Sequence, residues 1–280
     1  MTMLEILKAI FLGIVEGITE WLPVSSTGHM ILVDEFLQLN ASEAFKELFF
    51  VVIQFGAILA VLTVYWKRFV PLKRSRHGHL VGDPQVFRLW LKIIIACVPA
   101  AVVGILFDDQ LNALFYNFQT VGIALIVFGI AFIGVENRNA GQQARVMRVH
   151  DITYKDAFII GMFQLIAAIF PGTSRSGATI LGSIAIGVGR AAAAEFTFFL
   201  AVPVMFGASL LKFVKLGWSY TGFEWMLLIV GSVVAYFVSL LCIRFLMGYV
   251  KRHDFKVFGW YRIVLGALVL GYWGYTLIAG

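Results

Sequence analysis

Cysteine and proline are scarce, with two and six in 280 residues. Two cysteines cannot staple a secreted scaffold, and Cys97 and Cys242 both fall inside apolar runs, where a thiol packs as a small hydrophobe. Charge is scarce as well: 14% of residues are Asp, Glu, Lys or Arg, against about 25% in a typical soluble domain. That deficit excludes an ordinary water-soluble enzyme, and a hydrophobic content of 60% excludes a disordered chain. What is abundant is long apolar sequence, with a mean hydropathy of +0.89. The composition is that of a chain embedded in a bilayer with little mass outside it. No cleavable signal peptide is expected, since Glu5, Glu16 and Glu20 interrupt the first apolar stretch and no small-residue cleavage site follows.

Six stretches have the length and polarity of membrane helices: about 45–66, 86–107, 118–136, 190–214, 223–247 and 258–279. Lys and Arg concentrate in three gaps. Residues 67–85 hold Lys67, Arg68, Lys73, Arg74 and Arg76; residues 137–155 hold Arg138, Arg145, Arg148 and Lys155; residues 248–257 hold Lys251, Arg252 and Lys256. The gap 108–117 has no Lys or Arg but carries Asp108 and Asp109, and 215–222 has only Lys215. This asymmetry is the positive-inside pattern, so the net charge of +6 implies membrane orientation rather than a nucleic-acid partner. It puts the basic gaps in the cytoplasm and, by counting crossings, both termini outside. His77, His79, His150 and His253 lie in those gaps and are expected to be solvated.

Two further apolar stretches, about 3–38 and 156–189, are each broken by proline and small polar residues. The first break reads Glu20-Trp-Leu-Pro-Val-Ser-Ser-Thr-Gly-His29; the second reads Phe170-Pro-Gly-Thr-Ser-Arg-Ser-Gly177. Proline ends a helix and Ser or Thr caps the next. Irregular backbone at membrane depth survives only where protein or a cavity covers it. Both stretches therefore read as re-entrant pairs of half-helices. Ordinary kinked spans would leave the basic gaps on both sides.

The broken stretches resemble each other at a separation of 148 positions: Gly13 with Gly161, Glu16 with Gln164, Pro23 with Pro171, Ser25-Ser26 with Thr173-Ser174, and beyond them Phe50 with Phe198. The expected fold is thus an all-α polytopic membrane protein in one domain, 1–280. Residues 1–140 and 150–280 each form a re-entrant hairpin followed by three spans. Opposite orientation of the hairpins makes this an inverted-topology repeat, whose broken helices meet near the midplane.

Glu16 and Glu20 share one helix face, and an intramembrane carboxylate pair is a functional hypothesis by default. Ser25, Ser26 and Thr27 begin a half-helix, whose N-terminus is an anion site. His29, three residues from Ser26, makes a plausible nucleophile–base pair with it. Arg175 begins the matching half-helix; it either binds phosphate or pairs with Glu16 or Glu20. Gly172 and Gly177 permit close backbone approach; Thr173, Ser174, Ser176 and Gln54 complete the candidate binding set. One copy supplies acid–base groups and the other the cation, a division that an enzyme acting on a phosphate anion needs more than a symmetric carrier does. A transporter or flippase of an anionic lipid or small anion is the alternative. A channel is a weaker one, since no like-charged rings are found.

Glu16-Gly-Ile-Thr-Glu20-Trp-Leu-Pro-Val-Ser-Ser-Thr-Gly-His29 and Pro171-Gly-Thr-Ser-Arg-Ser-Gly177 resemble the two signatures of the BacA-type (UppP) undecaprenyl-diphosphate phosphatases. The resemblance covers the whole chain and carries the family motif onto Glu16, Glu20, Ser26, His29, Ser174 and Arg175. It implies a bacterial inner-membrane hydrolase. Such an enzyme removes the terminal phosphate of undecaprenyl diphosphate, recycles the lipid carrier for peptidoglycan synthesis and confers bacitracin resistance. It also implies stimulation by Mg²⁺ or Ca²⁺. The sequence holds no metal cage, so the ion is expected to arrive with the substrate, near Glu16 and Glu20. The active site is expected to open to the outer face. Gly-rich sequence such as Gly122–Gly134 could pack helices within a monomer or across a homodimer.

Overall fold

A computed structural model describes residues 2–74 and 79–279. Arg76 and His77, assigned above to the first basic gap, lie outside the described residues. Ten helices are described: α1 (Thr2–Thr19), α2 (Ser26–Phe36), α3 (Glu43–Phe69), α4 (Pro84–Phe115), α5 (Phe118–Arg138), α6 (Tyr154–Ile169), α7 (Arg175–Ala185), α8 (Arg190–Leu216), α9 (Gly222–Tyr249) and α10 (Lys256–Ala279). A two-stranded antiparallel ladder, β1 (Leu72–Arg74) with β2 (Leu80–Gly82), lies in the first basic gap. The chain is an all-α polytopic membrane protein. Six helices, α3, α4, α5, α8, α9 and α10, are long and apolar enough to cross a membrane.

The six expected spans all appear, extended at their ends by capping. Ser42, Asn117 and Thr221 each accept a backbone N–H from the first turn of α3, α5 and α9. The gap 108–117 is a correction: α4 continues as helix through Phe115, because nothing before Asn117 stops it. The outward faces are apolar, as lipid requires. On α4, Ile94, Val98, Val102 and Ile105 are all more than half exposed.

The two broken stretches are helix pairs. Pro23 cannot donate a ladder hydrogen bond, so α1 stops at Thr19 and α2 restarts behind the Ser25 cap. Pro171 does the same between α6 and α7. α2 and α7 have 11 residues each, about 16 Å of helix, half a bilayer core.

Packing exchanges partners between the chain's halves. α1 packs on α9 and α6 on α4, α3 packs on α8 and α9, and α5 lies along α10. Gly13 in α1 sits against the Gly231 carbonyl of α9, where an added Cβ would lie 2.6 Å from that oxygen. Gly161 in α6 sits against the Ala96 carbonyl of α4 in the same way, at 2.5 Å. These equivalent close approaches are what glycine permits and alanine would not. Gly122 and Gly129 are used within the chain, against Gly266 and Gly259 of α10, whereas Gly134 faces open space.

The basic gap 137–155 is less solvated than its composition suggests. Arg138, Asn139 and Arg145 donate to the carbonyls of Ala185, Ile184 and Ile186, closing the C-terminal end of α7. His150 is half-buried: its ring reaches Arg68 at an exposed contact and its carbonyl accepts from Lys92. Cys97 and Cys242 are free and pack against the core, as expected.

Candidate active site

The tips of the two broken pairs meet. Ser25 caps α2 by accepting from the Gly28 N–H at 3.2 Å, and Ser174 caps α7 by accepting from Gly177 at 3.1 Å. Both serines are in the left-handed region, with φ of 75° and 68°. A non-glycine residue held there stores about 1–2 kcal/mol of strain, a condition that clusters at functional sites. The matching caps align Ser25 with Ser174, one position beyond the register taken from the sequence, because Gly172 lengthens the second tip. Ser26 and Arg175 are therefore structural counterparts. The shared spelling Ser-x-Ser/Thr-Gly, residues 25–28 and 174–177, is the sequence signal for that register.

Three of the five expected catalytic side chains converge. Ser26 Oγ donates to Glu20 Oε2 at 2.8 Å, and Arg175 Nη2 donates to Glu20 Oε1 at 2.8 Å. One carboxylate thus joins the hydroxyl of one half-helix to the guanidinium of the other. Arg175 is also held from α8, donating to the Thr197 carbonyl at 3.1 Å, while the Thr179 and Thr197 hydroxyls bond each other at 2.8 Å. These three groups face a cavity of about 160 Å³. Thr27, Gln54, Gly172 and Ser174 also line it, and Ala167, Pro171, Val204, Met205 and Ala208 form its apolar wall.

The other expected site residues lie around this centre. Glu16 is buried one turn before Glu20, and its Oε1 has no hydrogen-bond partner among the described residues. His29 does not meet Ser26. Its Nδ1 lies 2.7 Å from the Ser25 carbonyl, its Nε2 lies 2.6 Å from the Tyr261 hydroxyl, and the two rings stack. The spacing of three put the residues on neighbouring turns, but the Ser26 hydroxyl turns to Glu20 instead. Ser176 bridges the tips through the Ser174 hydroxyl and the Leu22 carbonyl. Thr173 is buried with an unpartnered hydroxyl. Trp21 is fully buried edge-on against Phe198.

A divalent cation fits this site only in part. Both Glu20 oxygens are engaged, Glu16 is buried with its Oε1 unpartnered and is not among the residues lining the cavity, and no cluster of three or more His, Cys, Asp or Glu able to hold an ion occurs among the described residues. That suits an ion brought by an anionic substrate, not a resident one.

Sequence reasoning missed Arg262 and Tyr261 of α10, and the Thr179–Thr197 pair. Arg262 was legible: a lone cation inside the span 258–279 demands partners.

A hydroxyl and a guanidinium at two helix N-termini, joined by one carboxylate on a shared cavity, give this polytopic membrane protein the groups that can hold an anion. The chain matches the family described as bacitracin resistance protein BacA over residues 9–268, and it belongs to that family. It is 61% identical over 280 residues to the undecaprenyl-diphosphatase of Desulfitobacterium hafniense, covering 100% of both chains. It is 61% identical to undecaprenyl-diphosphatase 1 of Clostridium acetobutylicum, covering 96% of this chain and 97% of that one. With the undecaprenyl-diphosphatase of Enterococcus faecalis it shares 58% identity over 95% of this chain and 96% of the relative.

Proposed function

We propose that this chain hydrolyses undecaprenyl diphosphate to undecaprenyl phosphate and inorganic phosphate. The observation that carries the reading is the Ser26–Glu20–Arg175 constellation on the cavity. Membership of the BacA family and the names of three relatives support it.

The diphosphate occupies the cavity, with the prenyl tail running out along the apolar wall of Val204, Met205 and Ala208 into the bilayer. Arg175 and the N–H groups opening α2 and α7 hold the phosphate oxygens and offset the charge that grows in the transition state. Ser26 Oγ attacks the terminal phosphorus, or orients a water that does, and its proton passes to Glu20. The P–O bond to the inner phosphate breaks, and undecaprenyl phosphate departs with the electron pair. If Ser26 attacks, water then frees the phosphoserine. Glu20 is better placed than His29 to take the proton, since it already accepts from Ser26. Phosphate entry also displaces Arg175 in part from Glu20, which frees a carboxylate oxygen as the negative charge arrives. A divalent cation, Mg²⁺ or Ca²⁺, brought with the diphosphate would neutralise phosphate charge, and Glu16 and Glu20 are the carboxylates that would hold it there.

In the cell this reaction recycles the lipid carrier of wall synthesis and underlies bacitracin resistance. The enzyme lies in the bacterial inner membrane with its basic gaps inside, both termini outside and the cavity serving the outer face. Its halves form an inverted repeat, supported by the exchange of α1–α9 and α6–α4 packing. That symmetry also favours the second reading, movement of an anionic lipid.

The test is phosphate release from a C15 or C55 prenyl diphosphate by detergent-purified protein, with and without EDTA, for wild type, Ser26→Ala and Arg175→Ala. Wild type is expected to release phosphate only with divalent cation. Each variant is expected to lose at least about 10²-fold in kcat/KM. A monodisperse elution profile must accompany the loss, because unpairing a buried Glu20 costs about 3–5 kcal/mol. Folded wild type that releases nothing with cation present would make transport the leading reading.

A further inference from the structure

Arg262 is the most buried cation described in the chain. It lies in the first third of α10, with no solvent exposure, and no carboxylate pairs with it among the described residues. Its guanidinium lies 5.8 Å from the centre of the Phe128 ring, and its hydrogen-bond partners are backbone carbonyls at both tips. Nη1 donates to Pro23 at 3.2 Å, while Nη2 donates to Gly172 at 3.0 Å and Thr173 at 2.7 Å. A charge without a counter-ion in a bilayer is among the costliest side chains a span can carry. A structural tie between two loops could have been made by a neutral donor at far lower cost.

The tips are shaped around this side chain. An added Cβ on Gly177 would stand 2.8 Å from Arg262 Nη1, so glycine leaves the guanidinium its place. A Cβ on the equivalent Gly28 would meet the flexible Leu125 side chain at 3.2 Å and its own cap, Ser25 Oγ, at 3.5 Å. The preceding residue of α10, Tyr261, holds His29 of α2. One turn of α10 thus grips the first tip through Tyr261 and both tips through Arg262.

We propose that Arg262 is a positioning residue of the phosphoryl-transfer site. Its planar fork fixes the Pro23 tip against the Gly172–Thr173 tip, and so sets Ser26 against Arg175. Its uncompensated positive charge lies behind the two helix N-termini that receive the anionic headgroup. This rests on the phosphatase reading. Arg262 touches neither Ser26, Glu20 nor Arg175 directly; it acts through the backbone from which Ser26 and Arg175 project. Lysine carries the charge but has a single nitrogen, which cannot span both tips.

The experiment compares steady-state phosphate release from C15 prenyl diphosphate by wild type, Arg262→Lys, Gly177→Ala and Gly28→Ala, each checked for monodispersity and Tm in detergent. Misplacing a catalytic pair by about 1 Å costs about a hundredfold. Arg262→Lys and Gly177→Ala are expected to lose about that much in kcat, with KM changed less than about threefold. Gly28→Ala is expected to stay within about fivefold of wild type, which separates displacement of the guanidinium from crowding of a capped helix start. Guanidinium ion added to Arg262→Gly is expected to restore part of the lost kcat. An Arg262→Lys or Gly177→Ala protein that folds and keeps wild-type kcat would overturn the proposal. So would variants that differ from wild type only in Tm or yield, since Arg262 would then be a general structural cation. Inactive wild type would instead strike the phosphatase reading itself.

Discussion

At the residue scale, the site turns on which group accepts the Ser26 proton. Spacing alone allows Glu20 or His29, but the hydroxyl donates to Glu20, and both His29 nitrogens are taken by Ser25 and Tyr261. Glu20→Gln is therefore expected to lower kcat by about 10²- to 10⁴-fold. His29→Gln should cost less, since its ring only braces the first tip against Tyr261. Steady-state phosphate release by each variant decides, and a larger loss of kcat in His29→Gln than in Glu20→Gln would make His29 the base. The role of Arg175 is likewise double. It pairs with Glu20, and in the proposed reaction its fork turns to phosphate without leaving the α8 carbonyl of Thr197.

At the element scale, half-helices place the chemistry. A continuous span would satisfy its own backbone and offer no N–H group to a ligand. Breaking the chain at Pro23 and Pro171 exposes two helix starts where the tips meet, and the capping serines hold them at the cost of left-handed backbone. The surrounding spans keep the breaks in register by close packing. Along α5 and α10, Gly129 and Gly259 face each other, and a Cβ on Gly129 would lie 2.7 Å from the Gly259 carbonyl. Gly129→Val is expected to destabilise the protein by about 2 kcal/mol through forced separation of these helices. Thermal unfolding in detergent measures this. An unchanged Tm together with a changed oligomeric state would mean that the glycine face works between chains.

At the scale of the whole molecule, the proposed orientation rests on the basic gaps. With Cys97 and Cys242 replaced by alanine, a cysteine at Ser219 should react with a membrane-impermeant maleimide on intact cells. One at Gln143 should react only after permeabilisation. The reverse pattern would invert the topology and put the cavity on the other face. Much of this architecture was legible beforehand. The six spans, both breaks, the carboxylate pair and the cation opposite it are all properties of short sequence windows read against the bilayer. Windows could not show that α4 runs on to Phe115, that Ser26 turns from His29 to Glu20, or that Ser25 rather than Ser26 matches Ser174.

The sequence by itself determined what must be buried in lipid, where helices must stop and which charges are too costly to lie unpaired, because hydropathy, proline and capping act over a few residues. Only the tertiary structure decided which partners those charges take. Glu20 reaches Arg175 across 155 positions and Arg262 reaches Pro23 across 239. Such pairings depend on how the halves exchange their packing, and no local pattern encodes that.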